Sequence, residues 1–116
     1  MIKKIRRSAC PVACTLDILG DKWTLLVIRD LFREFSHYND FLKAPENITT
    51  NILADRLKKL EQENLIYKKP YQDNPVRYEY HLTKQGEDLR PIFKEILHWA
   101  NKYKDEVIKG EIESTN

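Results

Sequence analysis

The 116-residue sequence predicts a mainly α domain carrying one small β-hairpin. Three observations predict it. Apolar residues recur at helical intervals along most of the chain, two β-branched and aromatic runs follow Asn64, and cap or turn residues separate these segments. Three glycines and five prolines are the only strong breakers, with no internal repeat or low-complexity linker. That length makes one domain with a real core.

From Thr15 to Phe32 the residues Leu16, Leu19, Trp23, Leu26, Val27 and Leu31 keep helical spacing, interrupted at Gly20-Asp21. The break predicts a short helix before it and a longer one from about Lys22 to Arg33, with Asp21 as N-cap. Ser36 is expected to cap a short helix containing Tyr38, Phe41 and Leu42, which Pro45 ends. Asn47 to Thr50 form a turn and the start of the next helix. In that helix Leu53, Leu57 and Leu60 share one side, and at about 100° per residue Asn51, Asp55, Lys58 and Gln62 fall opposite. Two helices with a tight connection, the second amphipathic, outline a helix-turn-helix. LIYKKPY and VRYEYHLT read as strands, with QDNP as the turn between them. Thr83 is expected to cap a long last helix whose stripe is Leu89, Phe93, Ile96, Ala100, Tyr103 and Val107. Pro91 predicts a kink or a break there.

Three helices and a two-stranded hairpin describe a winged helix-turn-helix, whose third helix enters the DNA major groove. The domain then divides into an N-terminal arm and dimer helix (1–20), a winged-helix core (21–82), a C-terminal dimerisation helix (83–108) and a flexible tail (109–116). Thr49, Thr50 and Asn51 are short, so the recognition helix can bring its backbone N–H groups to a phosphate. Their side chains can also reach base edges, Asn favouring adenine and Thr touching a thymine methyl. Lys58 and Lys59 suit phosphates. Asp55 on the outer face repels them unless it meets a cytosine amino group or pairs with a lysine. Lys68 and Lys69 precede the wing turn and Arg77 follows it, where an arginine enters the minor groove or clamps the backbone. The bland alternatives stay open: a capped helix facing water, and a solvated hairpin whose Asp73 and Glu79 nearly balance its cations.

A net charge of +2 does not itself identify a polyanion partner. Its distribution says more. Lys3, Lys4, Arg6 and Arg7 crowd one end, and Asp105, Glu106, Glu111 and Glu113 the other. Apolar runs are too short for a membrane helix, and MIKKIRRSACPVAC lacks an apolar signal core, so a cytoplasmic protein is expected. Cys10 and Cys14 are the only thiols, and His37, His81 and His98 show no ligand spacing, so no metal and no cofactor is expected. No glycine-rich phosphate loop and no nucleophile with an evident base partner is found, which excludes the common enzyme classes. Glu61 and Glu63 read as surface residues or as partners of Arg56 and Lys58.

The chain resembles the HxlR-type winged-helix transcriptional regulators from Cys10 to about Tyr103. The resemblance is carried by CP at Cys10-Pro11, LDILGDKWTLLVIRDL at Leu16 to Leu31, HYNDFL at His37 to Leu42 and ITTNILADRLKKLEQENLI at Ile48 to Ile66. YQDNPVRYEYHLTKQGEDLRPI at Tyr71 to Ile92 and Trp99 complete it. It implies homodimeric regulators of double-stranded DNA, dimerising through the N-terminal segment and the C-terminal helix. It implies a recognition helix from Thr49 to about Gln62 and a wing from Tyr71 to Arg77. It further implies that Cys10 holds the position that senses oxidants or electrophiles in some members; the residues themselves allow either a thiolate stabilised by the nearby cations or two small core cysteines. Three departures are visible: His37 stands where a phosphate-contacting arginine is frequent, Glu34-Phe35-Ser36 replaces Gly-Pro, and PEN replaces a tighter Pro-Gly turn.

The apolar stripe of the last helix independently predicts a homodimer, because such exposed patches mark interfaces; the alternative open at this point is that the stripe packs on the first helices. Two other functions compete with a DNA-binding dimer: a winged helix that binds protein, and a small-ligand sensor with an apolar cavity near the dimer helices.

Overall fold

Capping residues set where the helices begin. A computed structural model describes residues 9–104. The terminal charge clusters, Val107 and the tail 109–116 lie outside the described residues. Helix α1 spans Pro11–Leu19, with Pro11 in its first turn and Cys10 at the N-cap, so it starts before the Thr15 that opens the apolar pattern. Asp21 caps α2 (Lys22–Phe32), accepting from the backbone N–H groups of Trp23 and Thr24 at 3.0 Å each and from the Thr24 hydroxyl at 2.5 Å.

The short helix α3 (Tyr38–Leu42) corrects one expectation: its N-cap is His37, not Ser36. The Asp40 carboxylate accepts from the backbone N–H of His37 at 3.1 Å and of Ser36 at 3.3 Å. The chain before it runs extended because it pairs with the hairpin. The Tyr80 N–H donates to the Ser36 carbonyl at 2.9 Å, and His37 bridges Glu79. Glu34, which stands in the replaced Gly-Pro segment, has φ 66°, a left-handed conformation that glycine adopts without strain.

Helix α4 (Thr50–Gln62) starts at Thr49, whose hydroxyl accepts from the Ile52 N–H at 3.3 Å. The PEN turn before it closes with Asn47 at φ 60°, and asparagine tolerates that region. Asn64 at φ 62° ends α4, with the Leu65 N–H reaching the Leu60 carbonyl at 3.0 Å. Strands β1 (Ile66–Asp73) and β2 (Val76–Leu82) then pair antiparallel from Ile66↔Leu82 to Asp73↔Val76, with a register shift between Pro70 and Gln72. The turn is therefore narrower than QDNP, because Gln72 and Asp73 belong to β1.

Thr83 does act as a cap, but of the four-residue α5 (Lys84–Glu87). Gly86 lies so close to the Leu65 carbonyl that an added Cβ would sit 2.2 Å from it, so only glycine fits. The expected break falls at Asp88-Leu89, and Pro91 occupies the first turn of α6 (Arg90–Lys102), where its missing N–H leaves no bond unmade.

The core lies between α2, α3, α4 and the root of the hairpin. Val27, Ile28 and Leu31 meet Phe41, Leu53, Leu57, Leu60, Leu65 and Ile66 in one buried cluster. Asp30 is buried beside them, and burial pushes its carboxyl pKa up against the opposing pull of Arg29 and Arg33. The Arg29 guanidinium also grips Glu46 through two 2.8 Å bonds, fixing the PEN turn to α2.

Candidate nucleic-acid interface

The outer face of α4 carries Thr49, Thr50, Asn51, Asp55, Lys58 and Gln62, all exposed, while Leu53, Leu57 and Leu60 are buried behind it. The first turn points outward. Thr49 commits its hydroxyl to the cap, accepting from the Ile52 N–H, while its side chain stays exposed. Among the residues expected to touch phosphate, Lys58 is exposed on this face. Lys59 turns to the flank, 3.9 Å from the Asp21 carboxylate.

Two flanks and one top contact hold the helix in rotation. On one flank the Arg56 Nε donates to Asp21 Oδ1 at 3.0 Å, and its Nη1 to Asp55 Oδ2 at 2.6 Å. On the other, Glu61 lies 3.8 Å from the Lys68 ammonium of the hairpin. At the top, the Tyr38 hydroxyl donates to the Thr50 carbonyl at 2.8 Å. Of the readings open for Glu61, surface residue or partner of Arg56 or Lys58, neither pairing forms: Arg56 turns to Asp21 and Asp55, and Glu61 meets Lys68. Sequence reasoning also missed Tyr38 as a support of the first turn, since its partner is a backbone atom twelve residues on.

Asp21 joins the α2 cap to α4, and its titration reports that junction. Burial pushes the carboxyl up, but hydrogen bonds from the Thr24 hydroxyl, Arg56 and the Thr24 N–H outweigh it, and the pKa falls from 3.8 to about 2. A depressed carboxylate stabilises the fold above its unfolded pKa, and that contribution is lost as pH falls through the folded value. Asp21→Asn keeps a good cap but removes the charge and one of the two acceptor oxygens. Its stability deficit, about 1 kcal/mol at neutral pH after allowing for solvent screening, is expected to shrink from about pH 4 to pH 2. Urea titrations across that window check it, and a constant deficit would refute the linkage.

The hairpin presents Arg77 exposed beside Tyr71, Tyr78 and the start of α3, in a cleft that His37 and Asn39 also line. His37 stands edge-on to Tyr71 at 4.4 Å. Arg77 has no acidic partner among the described residues, whereas Lys69 lies 3.6 Å from Glu79 and Lys68 sits over the Tyr78 ring at 4.5 Å. Glu79 is held below its usual pKa, chiefly by a hydrogen bond with His81 at 3.0 Å. Arg77 is therefore the wing cation with the most freedom to meet an outside anion.

The C-terminal stripe divides. Leu89 and Phe93 pack on the core, with the Phe93 ring edge-on to Phe32 at 5.0 Å. Ile96, Tyr103 and Trp99 face outward, Trp99 at 59% exposure, and Ala100 is half-buried. On α1, Val12 and Leu16 are exposed as well, at 66% and 56%. Cys10 is exposed at the α1 N-cap, and its carbonyl accepts from the Cys14 N–H at 2.9 Å. Among the described residues no group of three or more His, Cys, Asp or Glu side chains is placed to hold a metal, and no helix is long and apolar enough to cross a membrane.

A supported amphipathic α4, a two-residue wing turn and the capping pattern define a winged helix-turn-helix protein. The chain belongs to the HxlR-like helix-turn-helix family, whose profile matches residues 18–108. It is 36% identical over 102 residues to the uncharacterized HTH-type transcriptional regulator YdeP of Bacillus subtilis (strain 168), covering 88% of this chain and 80% of that one. The redox regulator HypR in its reduced form superposes with a TM-score of 0.76 at 28% identity, over 87% of this chain and 99% of that chain. The reduced transcriptional regulator YodB from B. subtilis gives a TM-score of 0.69 at 29% identity, over 83% and 95%.

Proposed function

We propose that the chain is a sequence-specific DNA-binding transcriptional regulator that acts in the cytoplasm as a homodimer on an inverted repeat, without catalysis of its own. One observation carries the reading: the exposed first turn of α4, with Thr49, Thr50 and Asn51 outward and a core-locked leucine row behind. Helix N-terminal N–H groups suit a phosphate, and Asn51 suits an adenine edge. Arg77, unpaired by acids among the described residues, adds a backbone or minor-groove contact from the wing. The apolar faces of α6 and α1 support the second subunit, since exposed apolar surface of this kind marks interfaces. A two-fold pair sets two recognition helices about 34 Å apart.

The same segment supports a thiol input. Cys10 is exposed at the α1 N-cap, within the proposed dimer region, and the similar HypR is a redox regulator. A peroxide acting there would take the Cys10 thiolate to a sulfenic acid, the peroxide being reduced to the alcohol or water, and place a new polar group in the proposed dimer region.

Duplex binding measured against salt tests the reading. A protein making several phosphate contacts loses affinity steeply as salt rises. Arg77→Ala is expected to weaken binding to every sequence and lower the salt slope by about 1, whereas Asn51→Ala relaxes base preference by about 1–3 kcal/mol. Binding indifferent to salt, with both variants like the parent, would instead favour a protein-binding winged helix.

A further inference from the structure

We propose that Asp55 is a base-reading residue, accepting a hydrogen bond from the exocyclic amino group of a cytosine while Arg56 holds it in aim. The inference rests on the DNA-reading role proposed for α4. Asp55 lies near the centre of the outer face, about 40° around the helix from Asn51, and its side chain is 68% exposed. A carboxylate there is repelled by every phosphate it approaches. It suits a groove only where a donor meets it, and the major-groove edge of cytosine offers its N4 amino group, an established partner for carboxylates.

The carboxylate is not left to rotate. Arg56 Nη1 donates to Oδ2 at 2.6 Å, and the same guanidinium is anchored through Nε to Asp21 Oδ1 at 3.0 Å. Asp21 is itself fixed as the cap of α2 by the Trp23 and Thr24 N–H groups. The line Asp21–Arg56–Asp55 thus runs from the core helix to the outer face. Only Oδ2 of Asp55 is engaged, by Arg56, so Oδ1 accepts no hydrogen bond among the described residues and is left to accept one from outside. Arg56 is the positioning residue, with no contact to the base required of it.

The test selects duplexes from a random pool with the full-length parent, Asp55→Ala, Asp55→Asn, Arg56→Leu and Arg56→Lys, and records melting temperatures alongside base frequencies. Parent sites are expected to prefer cytosine at one position of each half-site by about tenfold or more. Asp55→Ala loses that preference and no other. Asp55→Asn moves it toward adenine. Arg56→Leu lowers the melting temperature by no more than Asp21→Asn does, blunts the cytosine preference at an unchanged salt slope, and Arg56→Lys restores part of that preference. If Asp55→Ala instead raises affinity for every duplex by one factor with an unchanged base profile, the carboxylate only repels and the proposal is wrong. If Arg56→Leu weakens all positions equally, with no selective loss at the cytosine, its positioning role is overturned. A parent that enriches no sequence defeats the DNA-reading role itself, and shows it before any substitution is made.

Discussion

Leu53→Ala is expected to cost about 3 to 5 kcal/mol, a stability loss far larger than that of any truncation on the exposed face of α4. Leu53 is fully buried, in one cluster with Ile28, Phe41, Leu57 and Leu60, so deletion leaves a cavity that three helices must close. Alanine is the better helix former, but the propensity gain is only a few tenths of a kcal/mol and packing decides the sign. Against a typical domain stability of about 5 to 15 kcal/mol this is a large share. Asn51→Ala, two residues away and exposed, is expected to change stability by no more than about 0.5 kcal/mol. Urea denaturation of the pair separates the two faces of the helix. Equal losses would mean that the first turn of α4 is not outward.

Ile96→Glu is expected to turn the proposed dimer into a folded monomer. Ile96 is 45% exposed in the middle of the outward part of the α6 stripe, whereas Leu89 and Phe93 hold that helix to its own core. A two-fold interface meets each substitution twice. Two carboxylates buried without partners cost about 3 kcal/mol or more in total, a weakening of over a hundredfold. Light scattering at micromolar concentration is expected to give twice the chain mass for the parent and once for the variant, with similar melting curves at high dilution. A parent already monomeric would remove the dimer.

Much of this surface was legible in the residues because its causes are local. Asp21 as a cap, the leucine row of α4, a threonine cap at Thr49 or Thr50 and the paired aromatic runs each follow from neighbours within one turn or one hairpin. Features set by distant parts of the chain were not legible. The α3 cap moved from Ser36 to His37 because β2 pulls that segment into an extended bridge through Glu79 and Tyr80. Arg56 has near acidic neighbours in sequence, yet its anchor is Asp21, thirty-five residues earlier. Lys68 and Lys69 read as wing cations but meet Glu61 and Glu79 once the hairpin folds back. Periodicity placed the apolar side of α6. It could not tell that Leu89 and Phe93 are covered by the chain itself and Ile96, Trp99 and Tyr103 are not.

Selection of bound fragments from random duplex DNA by the unmodified protein measures the central claim directly. The sequences recovered are expected to carry an inverted repeat whose half-sites are centred about one helical turn apart, because one outward helix turn per subunit reads each half. Recovery of unrelated sequences, or of single sites without two-fold symmetry, would contradict it.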